Sequence, residues 1–216
     1  MSNNRKFKID IHVHSKNSGD SSIDLDLIPK ILNKKGLDGI AITDHDLLTK
    51  DNFKEKIIIP GIELSTKDGH LLALGIKTDI KAGLSINEAI KEIHAQSGVA
   101  IIAHPYSFLE QCNFKNLNSR PEAIEVLNSR TLFCNISTFL AKRMAKKLSI
   151  PMAGGSDSHI PDTIGDAYTI VEAKSDSIDD ILFAFKRGRI MPSGKCSSTK
   201  KRVKSRIHSF LNKYYF

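Results

Sequence analysis

No stretch of this sequence is apolar for the roughly 20 residues needed to cross a bilayer, so a membrane-spanning helix is not expected. Its start, Met-Ser-Asn-Asn-Arg-Lys, runs straight into a strand-like segment and shows no signal peptide, which predicts a cytoplasmic protein. Tryptophan is absent, and the three cysteines (Cys112, Cys134 and Cys196) are odd in number, scattered and without metal-type spacing. They predict plain thiols in a reducing compartment rather than a disulfide framework or a cysteine-bound metal. A glycine-rich phosphate fingerprint is missing after the first strand, which argues against a doubly wound nucleotide-binding sheet. Acidic residues are missing from Lys186 to Phe216, where ten Lys or Arg fall. The net charge of +8 is therefore local: the rest of the chain carries 22 basic against 24 acidic residues. A whole-chain argument from pI to nucleic-acid binding would mislead.

What remains is ordinary for a globular protein: 216 residues, 40% hydrophobic, enough for one domain with a sizeable core. Apolar runs alternate with amphipathic segments. Strands are expected over 7–13, 37–43, 57–64, 71–76, 99–103, 123–127, 151–154 and 168–171. Helices are expected over 24–35 with Gly36 as its stop, 85–97 with Ser85 and Glu88 forming a capping box, 135–148, and 178–187 capped by Ser177. This alternation indicates a parallel α/β fold, and a barrel fits better than an open sheet. The one compositional break, Pro192 to Thr199, divides a barrel over 1–192 from a basic tail or docking helix over 193–216.

Six of the eight histidines stand beside carboxylates in segments that read as strand ends. His12 and His14 are two apart on a strand, so both side chains leave one face and can chelate one ion. Asp20 follows in a Ser-Gly-Asp-Ser-Ser loop. Glu63 ends a strand after Pro60-Gly61, where a carboxylate can bridge two metals. Asp157 and His159 repeat the two-residue spacing after a Gly-Gly turn, and His45, His70 and His104 add three imidazoles. Taken singly, each has a plainer use: Asp44 in Thr43-Asp44-His45 suits a helix cap, His70 and Asp20 suit turns, and His104 before Pro105 suits a backbone hydrogen bond. Taken together, imidazole and carboxylate at the ends of successive strands point to bound divalent metal.

These motifs bring the chain close to a known family. Asp10-x-His12-x-His14-Ser15, Thr43-Asp44-His45, Pro60-Gly61-Ile62-Glu63, His70-Leu-Leu-Ala-Leu-Gly75, Ala103-His104-Pro105, Ala123-Ile124-Glu125-Val126 and Gly155-Ser156-Asp157-Ser158-His159 occur in its order. The chain resembles the polymerase and histidinol phosphatase (PHP) family of metal-dependent phosphoesterases. The resemblance implies a distorted (β/α)7 TIM-like barrel with two or three divalent ions (zinc, manganese or iron) at the C-terminal ends of the strands. It implies that His12, His14, Glu63 and Asp157 hold one ion. Glu63 would bridge to a second held by His70 and His104, and Asp20, His45 and His159 would hold a third. Family members often place the loop acid one residue nearer the histidine pair, so Asp20 follows an apparent insertion.

The implied reaction is hydrolysis of a phosphate ester by metal-activated hydroxide, on a small monoester, a nucleoside bisphosphate or an oligonucleotide end. His45 or His159, if not committed to metal, would protonate the leaving oxygen. Arg130, just after the Glu125 strand, would either clamp a phosphate or be a solvated helix-start arginine. The alternative is a noncatalytic RNA- or protein-binding module on the same barrel, as in a ribonuclease P protein subunit; such modules generally lose the ligands that this chain keeps. In the tail, Val203, Ile207, Phe210, Leu211 and Tyr214 fall at helical spacing, which predicts a helix docked on the barrel with a solvated cationic face. A weak contact of that face with nucleic acid is the second possibility.

Overall fold

A computed structural model describes residues 4–49, 56–107 and 117–215, with the side chains of the last helix described through residue 212. In chain order the elements are β1 (Arg5–Val13), α1 (Ile28–Lys35), β2 (Gly39–His45), β3 (Ile57–Thr66), β4 (Gly69–Leu74), α2 (Ile86–Ala95) and β5 (Val99–Ile102). Then follow β6 (Ala123–Asn128), α3 (Cys134–Leu148), β7 (Met152–Gly155), β8 (Ala167–Ala173), α4 (Ile178–Lys186), β9 (Ile190–Gly194) and α5 (Thr199–Tyr215). The strands form one sheet in the order β7-β6-β5-β4-β3-β2-β1-β8-β9.

That sheet is mixed. β1, β2 and β3 pair in parallel, as do β5, β6 and β7. β4 runs antiparallel to both its neighbours, because only Lys67 and Asp68 separate it from β3 and so short a link makes a hairpin. β8 and β9 are antiparallel additions beyond β1. β9 lies in the stretch that the composition presents as a break; its Pro192 is tolerated because the strand is an edge. The sheet curls until its ends meet. His14 N donates to Ser158 O at 3.0 Å and Ser158 N to His12 O at 3.3 Å, joining the chain after β7 to the end of β1. Thr169 Oγ1 of β8 accepts from Gly154 N at 3.0 Å and donates to Gly154 O at 2.8 Å. The result is a nearly closed barrel.

Polarity divides along the strands. Their first halves put Phe7, Ile9, Ile59, Val99, Ile101 and Ala123 into one buried cluster, which Ile181, Leu182 and Phe185 of α4 complete. α1 covers the outer face of β1 and β2, and α2 and α3 cover β4 to β6. The last residues of the same strands carry the imidazoles and carboxylates. In β1 the change of face is local: pairing with β2 shifts register between Asp10 and Val13. Ile9 and Ile11 point into the apolar cluster before the shift, and His12 and His14 point into the mouth after it, the re-aiming that a bulge produces.

Two expectations change at the C-terminus. Cys134 and Cys196 are not plain thiols; they form a disulfide across 62 residues, with Cα atoms 5.9 Å apart. α3 begins beside the segment that leads into α5, a proximity that spacing along the chain does not reveal. Cys112 lies outside the described residues. Helix α5 docks, but not by its apolar stripe: Ile207 and Phe210 are 56% and 58% exposed, whereas Ser205 and Ser209 are buried. The surface beneath it is polar. Arg202 Nη1 donates to Thr131 O at 2.9 Å and to Leu132 O, and Lys201 Nζ lies 3.0 Å from Asp166. Hydrogen bonds, not apolar burial, therefore set the rotation of the helix. Tyr214 lies beyond the described side chains. No described helix is long and apolar enough to cross a membrane.

Candidate metal centre

Glu63, where the pairing of β3 with β2 ends, is almost wholly buried and stands among five imidazoles. Its Oε1 is 2.9 Å from His70 Nδ1 and 2.8 Å from His104 Nε2. Its Oε2 is 3.3 Å from His12 Nε2, 3.2 Å from His14 Nε2 and 3.2 Å from His45 Nδ1. One oxygen thus faces one pair of histidines and the other faces a separate set, the arrangement of a bridging carboxylate. The sixth imidazole, His159, sits over His14 with ring centroids 4.2 Å apart. Its Nε2 is 3.0 Å from Asp20 Oδ2, which also approaches His45 Nε2 at 3.5 Å. Asp157 Oδ1 lies 3.6 Å from His14 Nε2 and 3.9 Å from His12 Nε2.

The structure therefore gathers all nine sequence-predicted donors at one mouth. Among the described residues, donor atoms within 4.8 Å of one another form the groups His14/Asp20/His45/His159, His12/His14/Asp157, Glu63/His70/His104 and His12/His104/Glu125. His14 adjoins the Asp20 group as well as its own, which its sequence position alone does not suggest. The donors fit divalent cations on a second count. His12 Nε2, His14 Nε2 and His159 Nε2 are buried without a hydrogen bond, although buried polar atoms are nearly always satisfied. Their lone pairs converge where a cation would satisfy them. His104 and Asp157 also hold left-handed backbone, with φ 23° and 55°, strain of the kind that functional sites retain.

Charge follows from this crowding. Burial opposes ionisation of Glu63, yet the neighbouring His12 and the hydrogen bond from His104 hold its carboxyl well below the usual range. Asp20 is held down in the same way by His159 and His45, and Asp157 by Arg130 and His12. Burial pushes His45 down, but Asp20 and Glu63 outweigh it and raise the ring to about 9. For His14 burial prevails, with the charge of His159, and its pKa falls well below the ordinary value. Three ionised carboxylates in a half-open cavity form a cation trap.

A layer behind the donors orients them. Glu125, buried in the middle of β6, has Oε1 3.1 Å from His12 Nδ1. Its Oε2 accepts from His104 N at 2.9 Å and Asn128 Nδ2 at 3.0 Å. With the carboxylate as acceptor, His12 Nδ1 must donate, which leaves the Nε2 lone pair for the centre. Asp10 accepts from Ser156 N and Gly165 N at 2.9 and 2.8 Å, tying β1 to the Asp157 loop, and burial raises its pKa to about 6. Asp44 caps no helix; it accepts from Ser15 N and Ser15 Oγ and from Thr49 Oγ1, fixing the loop after His14. Glu125 and Asp10 stand within the sequence motifs without an expected task, and the helix cap expected of Asp44 is not what it forms. For Glu125 the available signal is a lone acid amid the apolar residues 123–127, a costly placement without partners. Glu125→Gln puts an amide N–H where Oε1 or Oε2 now accepts. It is expected to weaken metal binding roughly 10- to 100-fold. A chelator competition titration measures this, and unchanged affinity would remove Glu125 from the design.

Six of the donors (Asp20, His45, Glu63, His70, His104 and Asp157) line a cavity of about 530 Å³ together with Ser18, Gly19, Ser65 and Arg130. Arg130 is not a solvated arginine: its side chain is 16% exposed, and Nη1 lies 3.7 Å from Asp157 Oδ1.

Comparison with known proteins is consistent with this architecture. A family model described as PHP-associated matches residues 135–190. An uncharacterized protein of Methanocaldococcus jannaschii is 32% identical over 169 residues, covering 74% of this chain and 69% of that one. A two-domain protein from Bacteroides vulgatus containing a predicted PHP-like metal-dependent phosphoesterase superposes with a TM-score of 0.68 at 19% identity. That match covers 95% of this chain and 70% of the other. A lesion-specific endonuclease from Pyrococcus furiosus gives a TM-score of 0.66 at 18% identity, over 88% of this chain and 59% of the endonuclease.

Proposed function

The chain belongs to the PHP family, and from that membership we propose that it is a metal-dependent phosphoesterase. The observation that carries the proposal is Glu63, whose two oxygens face separate histidine sets. His12, His14, Glu63 and Asp157 would hold one divalent ion. Glu63, His70 and His104 would hold a second, and Asp20, His45 and His159, with His14 beside them, would hold a third. Borderline N/O ligation of this kind suits zinc, manganese or iron. Divalent ions held by these residues would supply a water of lowered pKa near neutral pH and offset charge on the phosphoryl oxygens.

The chain's own groups supply the remainder. Arg130, which lines the same cavity, would bind a phosphate oxygen and so orient the ester. Where it is not committed to the third ion, His45, part exposed at the rim and raised to about 9 by Asp20 and Glu63, would be the imidazole best placed to give a proton to the leaving oxygen. His159 is fully buried, with Nδ1 3.1 Å from Asp157 O and Nε2 toward Asp20, so its task is ligation. Glu125, Asp10 and Asp44 keep the donors in register. The substrate class is a phosphate ester presented end-on: a small monoester, a nucleoside bisphosphate or the end of a short oligonucleotide. The noncatalytic module gains no support from a centre that keeps every donor.

A panel of p-nitrophenyl phosphate, bis-p-nitrophenyl phosphate, histidinol phosphate, a nucleoside bisphosphate and a short 5′-phosphorylated RNA, with manganese or zinc, tests the proposal. Hydrolysis of at least one ester, abolished by chelation and restored by metal, is expected. No hydrolysis, together with less than one bound ion per chain under metal-replete conditions, would overturn it.

A further inference from the structure

We infer that helix α5 is a working part of the site, with Ser209 acting as the positioning residue that holds Arg130 ready for the substrate phosphate. The inference rests on the phosphoesterase reading.

Apart from the charge it lends to Asp157, the Arg130 guanidinium is only partly engaged within the cavity. Its Nη1 is too far from Asp157 Oδ1, at 3.7 Å, for a hydrogen bond. Its Nε is buried and has no hydrogen-bond partner. Its backbone N–H donates to Asn128 Oδ1 at 3.1 Å, which fixes the turn but not the guanidinium. The guanidinium is held instead from above: Nη2 donates to Ser209 Oγ at 3.1 Å, a contact 79 residues away in sequence. A buried guanidinium with an unused N–H, on the rim of a cavity built to hold cations, is matched by an anion lying between the two. A planar fork that must meet a phosphate oxygen has to be held in one orientation, and a long side chain does not hold itself.

The arm that carries Ser209 is fastened to the same loop that carries Arg130. Cys196 is bonded to Cys134, four residues beyond Arg130. Ser197 N donates to Ser129 O at 3.0 Å, and Ser197 Oγ donates to Asp166 Oδ2 at 2.6 Å. Arg202 binds the carbonyls of Thr131 and Leu132, and Lys201 binds Asp166. Each attachment closes on residues 129–134 or on the loop behind them. Together they explain why α5 turns its serine face inward and leaves Val203 and Ile207 in solvent, an orientation that apolar burial would reverse. A plainer account, that Ser209 only satisfies a buried helix hydroxyl, predicts no effect on phosphate.

The two accounts separate in the metal-loaded full chain, comparing Ser209→Ala with Ser209→Thr. The readouts are kcat and KM for p-nitrophenyl phosphate, the Kd for inorganic phosphate by calorimetry, and metal content. Ser209→Ala is expected to raise KM and the phosphate Kd by roughly tenfold, the scale of one hydrogen bond to a charged group. Its kcat should stay within about twofold of wild type and its metal content should be unchanged. Ser209→Thr keeps the hydroxyl and is expected to restore both constants. Equal KM and Kd in the two variants would overturn the inference, as would lost metal or a lower kcat at unchanged KM. If no ester is hydrolysed even by wild type, the functional reading fails while the phosphate titration still decides the role of Ser209. A wild-type protein that binds no phosphate would overturn this inference as well.

Discussion

Glu63→Gln is expected to lower phosphatase turnover by at least about a thousandfold, equivalent to about 4 kcal/mol of transition-state stabilisation. The change is nearly isosteric, so the barrel itself should survive. The amide nevertheless cannot do what the carboxylate does. Whichever way it is turned, an N–H₂ group replaces the oxygen facing His70 and His104 or the one facing His12, His14 and His45. Either placement removes a ligand shared by two of the proposed ions and takes away the charge that offsets them. Metal content should therefore fall together with turnover. Elemental analysis of the purified variant, paired with p-nitrophenyl phosphate hydrolysis under saturating manganese, checks this. A variant that kept a full metal complement and more than a tenth of wild-type activity would show that Glu63 is not a bridge.

The second large effect comes from a residue with no side chain. A Cβ added at Gly155 would sit 2.5 Å from Glu125 Oε1 and 2.7 Å from His12 Cβ. Glu125 cannot swing away, because its oxygens are engaged by His12, His104 and Asn128. Gly155→Ala is thus expected to destabilise the fold by about 2–3 kcal/mol through overpacking. It should also weaken metal binding by roughly 10- to 100-fold, since the oriented His12 ring is what moves. Gly83→Ala is the matched comparison: its Cβ would meet nothing within 4 Å, although φ is +78°. That variant should lose only about 1–2 kcal/mol from left-handed backbone and keep its metal affinity. Thermal unfolding with and without chelator separates the two. Equal metal affinity in both alanine variants would show that the Gly155 contact does not position His12.

Much of the centre was legible because its donors repeat local rules. His12 and His14, two apart on a strand, must share a face. Strand-terminal acids and imidazoles in six segments have few uses other than a shared ion. Glu125 was not legible in the same way: it is the one acid in its strand, and its partners His12 and His104 come from β1 and from the segment after β5. The antiparallel β4 followed from a link too short for a crossover, yet the alternation of helix and strand pointed to a parallel sheet. β9 escaped notice because five residues including Pro and Gly carry little strand signal. Arg130 was recognisable as a residue at the mouth, but its partner Ser209 was hidden inside a helix read by its apolar stripe.

By itself the sequence determined the chemistry: which residue types end which strands, and hence that imidazole and carboxylate would meet at one end of a barrel. Those facts are set by spacing along one segment at a time, through the two-residue period of a strand and the capping of a helix. The tertiary structure alone decided the rest. It decided which oxygen of Glu63 faces which histidines, that Glu125 stands behind His12, that Cys134 meets Cys196, and that α5 turns Ser209 toward Arg130. Such contacts join residues far apart in the chain, where loop closure and the polarity of the docking surface determine the outcome and no local period records it.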